Sequence, residues 1–316
     1  MHQEPQHRRR DTSKASDLSY PGPTVAHMCE TVAEGCLPSV CGRVLWLRPS
    51  GWIAGVPVSY RNIARPPRYT SMDTTDVWCD WLSKERLVLP VSKGRCCRVC
   101  HGAVGYGRNE EPYGRCRNCL DYIGALDALV PISYSVDDGL ESLLHRYKDF
   151  GERYQWMAAP LASLTVEFLL GHRRCLETRA GSFDRALTVP SGGTSRGFDH
   201  LRTAIEMVDE WPIPWDFNVL TKAKPGRPPR GTADPSFYRL TQGASVTGSR
   251  ILLFDDTWTS GATMASAAQC LRDHGAHRVV GLTVGRQLRS GWGTSDELIS
   301  TARQQAFDLG RCVICG

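Results

Sequence analysis

The chain has 316 residues, of which 41% are hydrophobic and 22% are charged. This composition is typical of a globular protein with one large domain or two ordinary ones, and it excludes a fully disordered chain. No apolar run approaches the ~18 residues that a membrane-spanning helix needs, and the polar N-terminus lacks the apolar segment of a signal peptide. We therefore expect the protein in the cytoplasm.

The net charge of +5 is unevenly distributed along the chain. Residues 1–71 contain 9 Lys+Arg and 5 Asp+Glu, a net of +4, whereas residues 72–316 contain 29 and 28, a net of +1. Nucleic-acid-binding domains usually carry a basic surface. The near-neutral charge of residues 72–316 therefore counts against nucleic-acid binding as their main function.

Residues 1–71 show neither helical nor strand periodicity and are rich in Pro, Ser, Gly and Arg. Such a composition predicts a disordered N-terminal extension. Met28 and Met72 are internal methionines that could serve as start sites, so the sequence leaves open whether this extension is expressed.

Residues 72–136 contain two Cys-x2-Cys pairs that are separated by 15 residues. Each pair can supply two thiolates from one tight turn, and four thiolates satisfy a tetrahedral zinc. We predict a small zinc-ribbon module whose metal is structural, since four cysteines leave no open position for catalysis. Cys96 could replace Cys97, and reduced thiols without metal are the alternative. The predicted ligands are Cys97, Cys100, Cys116 and Cys119.

Residues 137–290 alternate between helical and strand patterns. Apolar residues at helical spacing predict helices near residues 140–147, 154–171 and 201–208, with Gly171 as the end of the second. Strands are expected at residues 186–190, 251–254 and 279–284, and a further one at 217–220. The strand, loop, helix and strand after residue 251 form a βαβ unit. We therefore predict an α/β domain with a parallel sheet and flanking helices.

Residues 221–235 form a loop by composition, because four prolines exclude regular structure. This loop carries Lys222, Lys224, Arg227 and Arg230. Such cations could close over a diphosphate as a lid, but a solvated linker is the slightly preferred interpretation.

Residues 291–316 form a C-terminal tail that contains Cys312-x2-Cys315. This pair is half of a metal site. It could complete a second site with distant cysteines, be redox active, or have no role, and the sequence favours the last two interpretations equally.

The segment ILLFDDTWTSGAT, residues 251–263, contains the clearest functional motif. It predicts a buried strand that ends at Asp255 and Asp256, followed by a hydroxyl- and glycine-rich turn into a helix. The free N–H groups of a helix N-terminus bind phosphate, and carboxylates just before them can accept hydrogen bonds from sugar hydroxyls. The motif therefore predicts a ligand that carries a phosphate and a ribose.

This segment resembles the phosphoribosyl diphosphate (PRPP) loop of type I phosphoribosyltransferases. A four-cysteine ribbon before such a domain resembles the ComF-type family, as do residues 145–148, 188–190 and 195–198. Trp258 replaces the usual aliphatic residue, and it could crowd the loop or stack on a ligand. The resemblance implies a type I phosphoribosyltransferase fold that binds PRPP with Mg²⁺ and transfers ribose 5-phosphate, or hydrolyses it, at C1 with release of diphosphate. The sequence does not identify the acceptor.

The resemblance also implies individual roles. The acidic pair, Asp255 and Asp256, would bind the ribose hydroxyls during catalysis, and Arg196 would pair with the diphosphate. A plain turn is an equally good interpretation of residues 191–193. Lys148 is expected to be a solvated charge, and His200 is expected on the surface with His274 and His277. The remaining predicted PRPP-binding residues are Thr257, Thr259, Ser260, Gly261, Ala262, Thr263, Ser191, Gly192 and Gly193.

Two alternatives remain. ComF-type proteins are associated with DNA uptake, so the fold could serve a non-catalytic protein that binds single-stranded nucleic acid. A purine or amidophosphoribosyl enzyme is less favoured, because no catalytic cysteine follows Met1 and no glutaminase-type domain is present. The sequence does not specify an oligomeric state. The arginines available for nucleic acid in or beside the ribbon are Arg95, Arg98, Arg108, Arg115 and Arg117.

Overall fold

A computed structural model describes residues 74–122, 124–137, 139–149, 156–191 and 199–316. The chain divides into two units, Met1–Arg43 and Val44–Gly316, and every described residue lies in the second. The predicted disordered extension, residues 1–71, lies outside the described residues.

The described residues form a four-stranded parallel sheet, a two-stranded antiparallel sheet and seven helices. The strand order of the large sheet is β1-β6-β5-β2, and β3 pairs with β4. The predicted α/β class, with a parallel sheet and flanking helices, is confirmed. The helices are α1 (Thr75–Glu85), α2 (Arg117–Leu120), α3 (Leu140–Asp149), α4 (Ala158–Ala180), α5 (His200–Glu206), α6 (Ala262–Asp273) and α7 (Ser295–Ala302); the strands are β1 (Ala128–Val136), β2 (Arg185–Thr188), β3 (Leu220–Lys222), β4 (Tyr238–Leu240), β5 (Arg250–Trp258) and β6 (Arg278–Leu288).

Side chains of β5 alternate between two apolar layers, as the pleat of a strand requires. Leu252 and Phe254 are buried in the layer that contains α3, α4 and α5. Ile251 and Leu253 are buried in the layer that contains α6 and part of the cysteine module. Helices therefore cover both faces of the sheet, which explains why its strands are almost continuously apolar.

Two predicted element ends are wrong. Helix α4 does not stop at Gly171 but continues to Ala180, and Gly181 follows it with a positive φ of 78°. A glycine inside a helix costs only about 1 kcal/mol, and burial of Leu176 beyond it offsets that cost. Strand β5 does not end at the acidic pair either, because its pairing with β6 continues to Trp258.

Strand β1 belongs to the sheet and not to the cysteine module. The sequence placed residues 72–136 in the module, but β1 pairs with β6 along its whole length. Its residues are buried on both faces, as in a strand of a parallel sheet that is covered on both sides. The module therefore ends before Ala128. Helix α1 also packs on α4, away from the cysteines.

Among the described helices, none is both long and apolar enough to cross a membrane.

Candidate active-site cleft

A cleft of about 590 Å³ opens at the carboxyl ends of the parallel strands. Ser135 at the end of β1, Ser191 after β2 and Gln287 near the end of β6 line it together with the loop that follows β5. Ligands of open α/β sheets bind at this edge, because the loops there connect strands to helix N-termini. The fold thus places the acidic-threonine segment in a concave site.

The turn between β5 and α6 presents an uncapped helix end to this cleft. Gly261 is the N-cap of α6 with φ 87°, and no side chain of the described residues caps the helix. Thr259, Ser260 and Thr263 also line the cleft, so hydroxyl groups and backbone N–H groups converge there. This arrangement can bind a phosphate.

The Trp258 side chain packs against Gly261 in the turn between β5 and α6. It is 2% exposed, and its ring meets Tyr122 edge-on with 6.3 Å between ring centroids. A Cβ built on Gly261 would lie 2.2 Å from Cζ2 of Trp258. The indole therefore occupies the space that any larger residue at position 261 would need. Its burial favours a supporting role over stacking on a ligand.

The two neighbouring carboxylates point to opposite faces of β5. Asp256 is 3% exposed and lies in the layer of α3 and α5. Tyr147 donates a hydrogen bond to Asp256 Oδ2 over 2.8 Å. Lys148 Nζ lies 2.5 Å and His200 Nε2 3.4 Å from the same oxygen. Asp255 faces the cleft and is partly exposed.

The protonation behaviour of the two carboxylates differs for physical reasons. Burial alone would raise the pKa of Asp256, but the charge of Lys148 and the contact with His200 outweigh it and hold this pKa below its ordinary value. Burial and the adjacent charge of Asp256 raise the pKa of Asp255. Asp256 is therefore a fixed carboxylate, and Asp255 is the member of the pair whose charge responds to pH and to a bound ligand.

The expectations for Lys148 and His200 are wrong. The Lys148 side chain is only 17% exposed and His200 is 5% exposed, because Asp256 draws both into the layer beneath the cleft. The signal that sequence reasoning missed is the helical position of Lys148 directly after the buried Tyr147. His274 and His277 are exposed, as predicted.

Cations from the proline-rich loop, residues 221–235, also line the cleft. Lys222, Arg227 and Arg230 contact the cleft, whereas Lys224 Nζ is directed to Ser236 at 2.5 Å. Burial and the charge of Arg227 lower the pKa of Lys222. The preferred interpretation as a solvated linker is therefore wrong for Lys222, which is partly buried, whereas Arg227 and Arg230 line the cleft and remain exposed.

The same loop is fastened at two points. The N–H of Gly231 donates to the Tyr122 hydroxyl over 3.1 Å, and the N–H of Asp234 donates to Ser266 Oγ over 2.9 Å. Pairing of β3 with β4 holds its two ends together. The cations are thus positioned by backbone contacts with the cysteine module and α6.

The four predicted cysteine ligands come together. Their sulfur atoms all lie within 4.8 Å of one another, and Sγ of Cys100 and Cys116 are 3.6 Å apart. Cys96 is not in the group and instead donates to the Val91 carbonyl over 3.4 Å. Between the pairs the chain doubles back as a hairpin, with the N–H of Tyr113 donating to the Gly105 carbonyl over 2.9 Å. Four thiols in this arrangement can hold one metal ion and leave it no open position.

Most of the predicted binding residues meet in the one cleft. Gly192, Gly193 and Arg196 lie outside the described residues. Sequence reasoning assigned no role to Arg289, which also lines the cleft. The predicted residues that the structure brings together there are Asp255, Asp256, Thr257, Thr259, Ser260, Gly261, Ala262, Thr263 and Ser191.

No protein-family model matches the chain, and no curated protein matches it. Among solved structures, the chain is similar to a hypoxanthine phosphoribosyltransferase from Staphylococcus aureus, with 15% identity and a TM-score of 0.25 over 40% of this chain and 73% of that one. It is also similar to adenine phosphoribosyltransferase from Leishmania tarentolae, with 21% identity and a TM-score of 0.25 over 47% of this chain and 65% of that one. Similarities of this size carry no argument about activity.

Proposed function

We propose that the cleft binds PRPP with Mg²⁺ and catalyses transfer, or hydrolysis, of ribose 5-phosphate at C1 with release of diphosphate. The observation that carries this proposal is the convergence of an uncapped helix N-terminus, a cleft-facing carboxylate and several cations in one site. The chemistry of PRPP matches it, because PRPP carries a phosphate, two ribose hydroxyls and a diphosphate.

The 5-phosphate would bind at the turn before α6. The first N–H groups of α6 and the hydroxyls of Thr259, Ser260 and Thr263 donate to its oxygens. Gly261 allows the backbone to approach closely, since it has no Cβ and adopts a positive φ. This end of the ligand fixes the position of the ribose.

The ribose hydroxyls would donate to the acidic pair. Asp255 faces the cleft and is the direct acceptor. Asp256 holds a permanent negative charge beneath it, and its contacts with Tyr147, Lys148 and His200 fix its position. A hydroxyl donor and a nearby metal cation favour the ionised form of Asp255, so ligand binding lowers its pKa.

The diphosphate would bind on the side of Lys222, Arg227 and Arg230. Charge builds up on the diphosphate as the C1–oxygen bond breaks, and cations aimed at that position stabilise the transition state. The fastened loop that carries them also covers the ligand and excludes water. The cleft therefore supplies groups for each part of PRPP.

Two metals fit this proposal. Mg²⁺ prefers phosphate oxygens and carboxylates, so Asp255 and the diphosphate would hold it, and it supplies charge neutralisation at the leaving group. Zinc suits the four thiols Cys97, Cys100, Cys116 and Cys119, where its role is structural. A zinc module before such a domain is the ComF-type layout, to which we assign the chain.

Calorimetric titration of PRPP, with and without Mg²⁺, tests the proposal on the full chain. Wild type should bind only with Mg²⁺, and Asp255→Asn should lose at least about 10-fold in affinity, equal to about 1.4 kcal/mol. Asp273→Asn, at the exposed far end of α6, is the matched control and should bind like wild type. Absence of binding by folded, zinc-loaded wild type would overturn the proposal. Diphosphate release with and without candidate bases then separates transfer from hydrolysis.

A further inference from the structure

Four potential metal ligands meet far from the cleft, between α4 and the C-terminal residues. His172 and Cys175 lie one turn apart on α4, so they face the same side of the helix. Cys312 and Cys315 come from the Cys-x2-Cys turn at the end of the chain. One ligand atom from each of the four lies within 4.8 Å of all the others. His172 and Cys312 are buried, and Cys315 is exposed.

The distances between these ligand atoms match those around one tetrahedrally coordinated zinc ion. Zinc with Zn–S near 2.3 Å and Zn–N near 2.0 Å separates its ligands by roughly 3.8 Å between sulfurs and roughly 3.5 Å between sulfur and nitrogen. Sγ of Cys312 and Cys315 are 3.4 Å apart. Nδ1 of His172 lies 3.7 Å from Cys175 Sγ and 3.8 Å from Cys315 Sγ.

The imidazole of His172 is oriented for coordination. Its Nε2 lies 2.8 Å from the carbonyl oxygen of Leu309. A carbonyl oxygen only accepts, so Nε2 donates this hydrogen bond, and Nδ1 is the ring nitrogen that lies beside the sulfur atoms. Histidine ligands of metals characteristically donate their other N–H to such an outer partner.

The C-terminal turn shares backbone features with the first Cys-x2-Cys turn of the cysteine module. In the module, the N–H of His101 donates to the Cys97 carbonyl over 2.9 Å. At the C-terminus, the N–H of Gly316 donates to the Cys312 carbonyl over 3.0 Å. The residue after the second cysteine has a positive φ in both places, 54° at His101 and 116° at Gly316. Each turn also contains an N–H···S hydrogen bond of 3.4 Å, which runs from Val99 to the first cysteine, Cys97, in the module and from Cys312 to the second cysteine, Cys315, at the C-terminus.

We propose that His172, Cys175, Cys312 and Cys315 bind a second zinc ion with a structural role. Three thiolates and one imidazole complete a tetrahedron and leave no open position, so the site stabilises the fold without catalysing a reaction. Its effect is to fasten the C-terminal segment to α4, where Phe307, Leu309 and Ile314 pack against the core. This inference is independent of PRPP binding, and it revises the sequence-based preference for a redox pair or no role.

Metal analysis of the full chain by mass spectrometry, after removal of loosely bound ions, tests this site. Wild type should contain two zinc ions per chain, and Cys315→Ser should contain one, as should His172→Ala. Cys116→Ser removes the module site and should also leave one, while Cys116→Ser with Cys315→Ser should leave none. Cys270→Ser is the matched control, since Cys270 is a helical cysteine outside both clusters, and it should retain both ions.

Limited proteolysis supplies the second measurement. Loss of the zinc should expose the segment after Ala302, so Cys315→Ser should be cleaved there faster than wild type and Cys270→Ser should not. Because Cys315 is exposed, its substitution leaves the core intact, and circular dichroism checks this. An unchanged zinc content in both Cys315→Ser and His172→Ala would overturn the proposal. So would recovery of Cys312 and Cys315 as a disulfide in protein purified under reducing conditions.

Discussion

Arg286 on β6 lies directly against Gly102 of the cysteine module: a Cβ built on Gly102 would stand 2.3 Å from Arg286 Nη2. The same guanidinium donates from Nη1 to the carbonyl oxygens of Trp258 and Thr259, each over 3.2 Å. Arg286 is 7% exposed. Arg286 therefore connects two regions. It lies against Gly102 in the cysteine module, and it holds the backbone of the turn that we propose to bind phosphate.

Replacing Arg286 should weaken ligand binding while the module keeps its metal. Hydrogen bonds from a charged donor contribute about 1.5–3 kcal/mol, and Arg286→Met removes those that hold the turn. We expect at least about 10-fold weaker PRPP binding by calorimetry. Arg278→Met is the control, because Arg278 lies on the same strand and pairs with Asp127 at the surface. Equal affinity in the two variants would exclude this role.

Gly261→Ala should abolish PRPP binding and lower stability. The new methyl group would meet the Trp258 ring at 2.2 Å, and alanine at φ 87° is strained. Strain of this kind costs about 1–3 kcal/mol before the clash is added. Gly243→Ala separates the two effects, because Gly243 has φ 81° and open space around it. Thermal denaturation should show a larger loss for Gly261→Ala, and a loss no greater than that of Gly243→Ala would contradict the contact.

Lys148→Met should destabilise the protein through Asp256. Removing one partner of a buried ion pair leaves the other charge uncompensated and typically costs about 3–5 kcal/mol. Because Lys148 lowers the pKa of Asp256, the pair stabilises the fold above the unfolded pKa of about 3.9 and loses that effect as pH falls. Urea denaturation should thus show the deficit in full from neutral pH down to about pH 4, and a smaller deficit only as the pH falls well below that value.

The control for Lys148→Met is Lys84→Met. Lys84 pairs with Asp80 over 2.6 Å, but the two side chains are 70% and 63% exposed. Exposed pairs of this kind contribute about 0–1 kcal/mol. A similar loss in both variants would mean that the contact with Asp256 does not stabilise the fold.

Replacing Asp255 or Asp256 by asparagine should change the stability of the protein in opposite directions. Burial and the charge of Asp256 raise the pKa of Asp255 to about 8, so its ionisation opposes folding increasingly between about pH 4 and pH 8. Asp255→Asn should therefore raise stability at pH 8 by at least about 1 kcal/mol and have little effect near pH 4. Asp256→Asn should lower it at pH 8. Thermal melts across this range measure both, and a destabilised Asp255→Asn at pH 8 would contradict the assignment.

Local patterns in the sequence determined much of the fold. Apolar runs such as residues 251–254 and 279–284 predict buried parallel strands, and the spacing of Cys97, Cys100, Cys116 and Cys119 predicts their clustering. These features depend on neighbours along the chain, whose geometry is fixed by the period of a helix or strand and by the reach of a tight turn. For the same reason the motif after β5 predicts a turn into a helix.

Tertiary structure alone decided which distant residues complete the sites. Lys148 and His200 reach Asp256 only because α3 and α5 cover the same face of β5. Cys312 and Cys315 meet His172 only because the C-terminal segment returns to α4. A charge or a thiol carries no periodic signal that identifies a partner so far away along the chain. Burial against a specific layer, and the electrostatic cost of leaving such a group unpaired, select that partner in the folded chain.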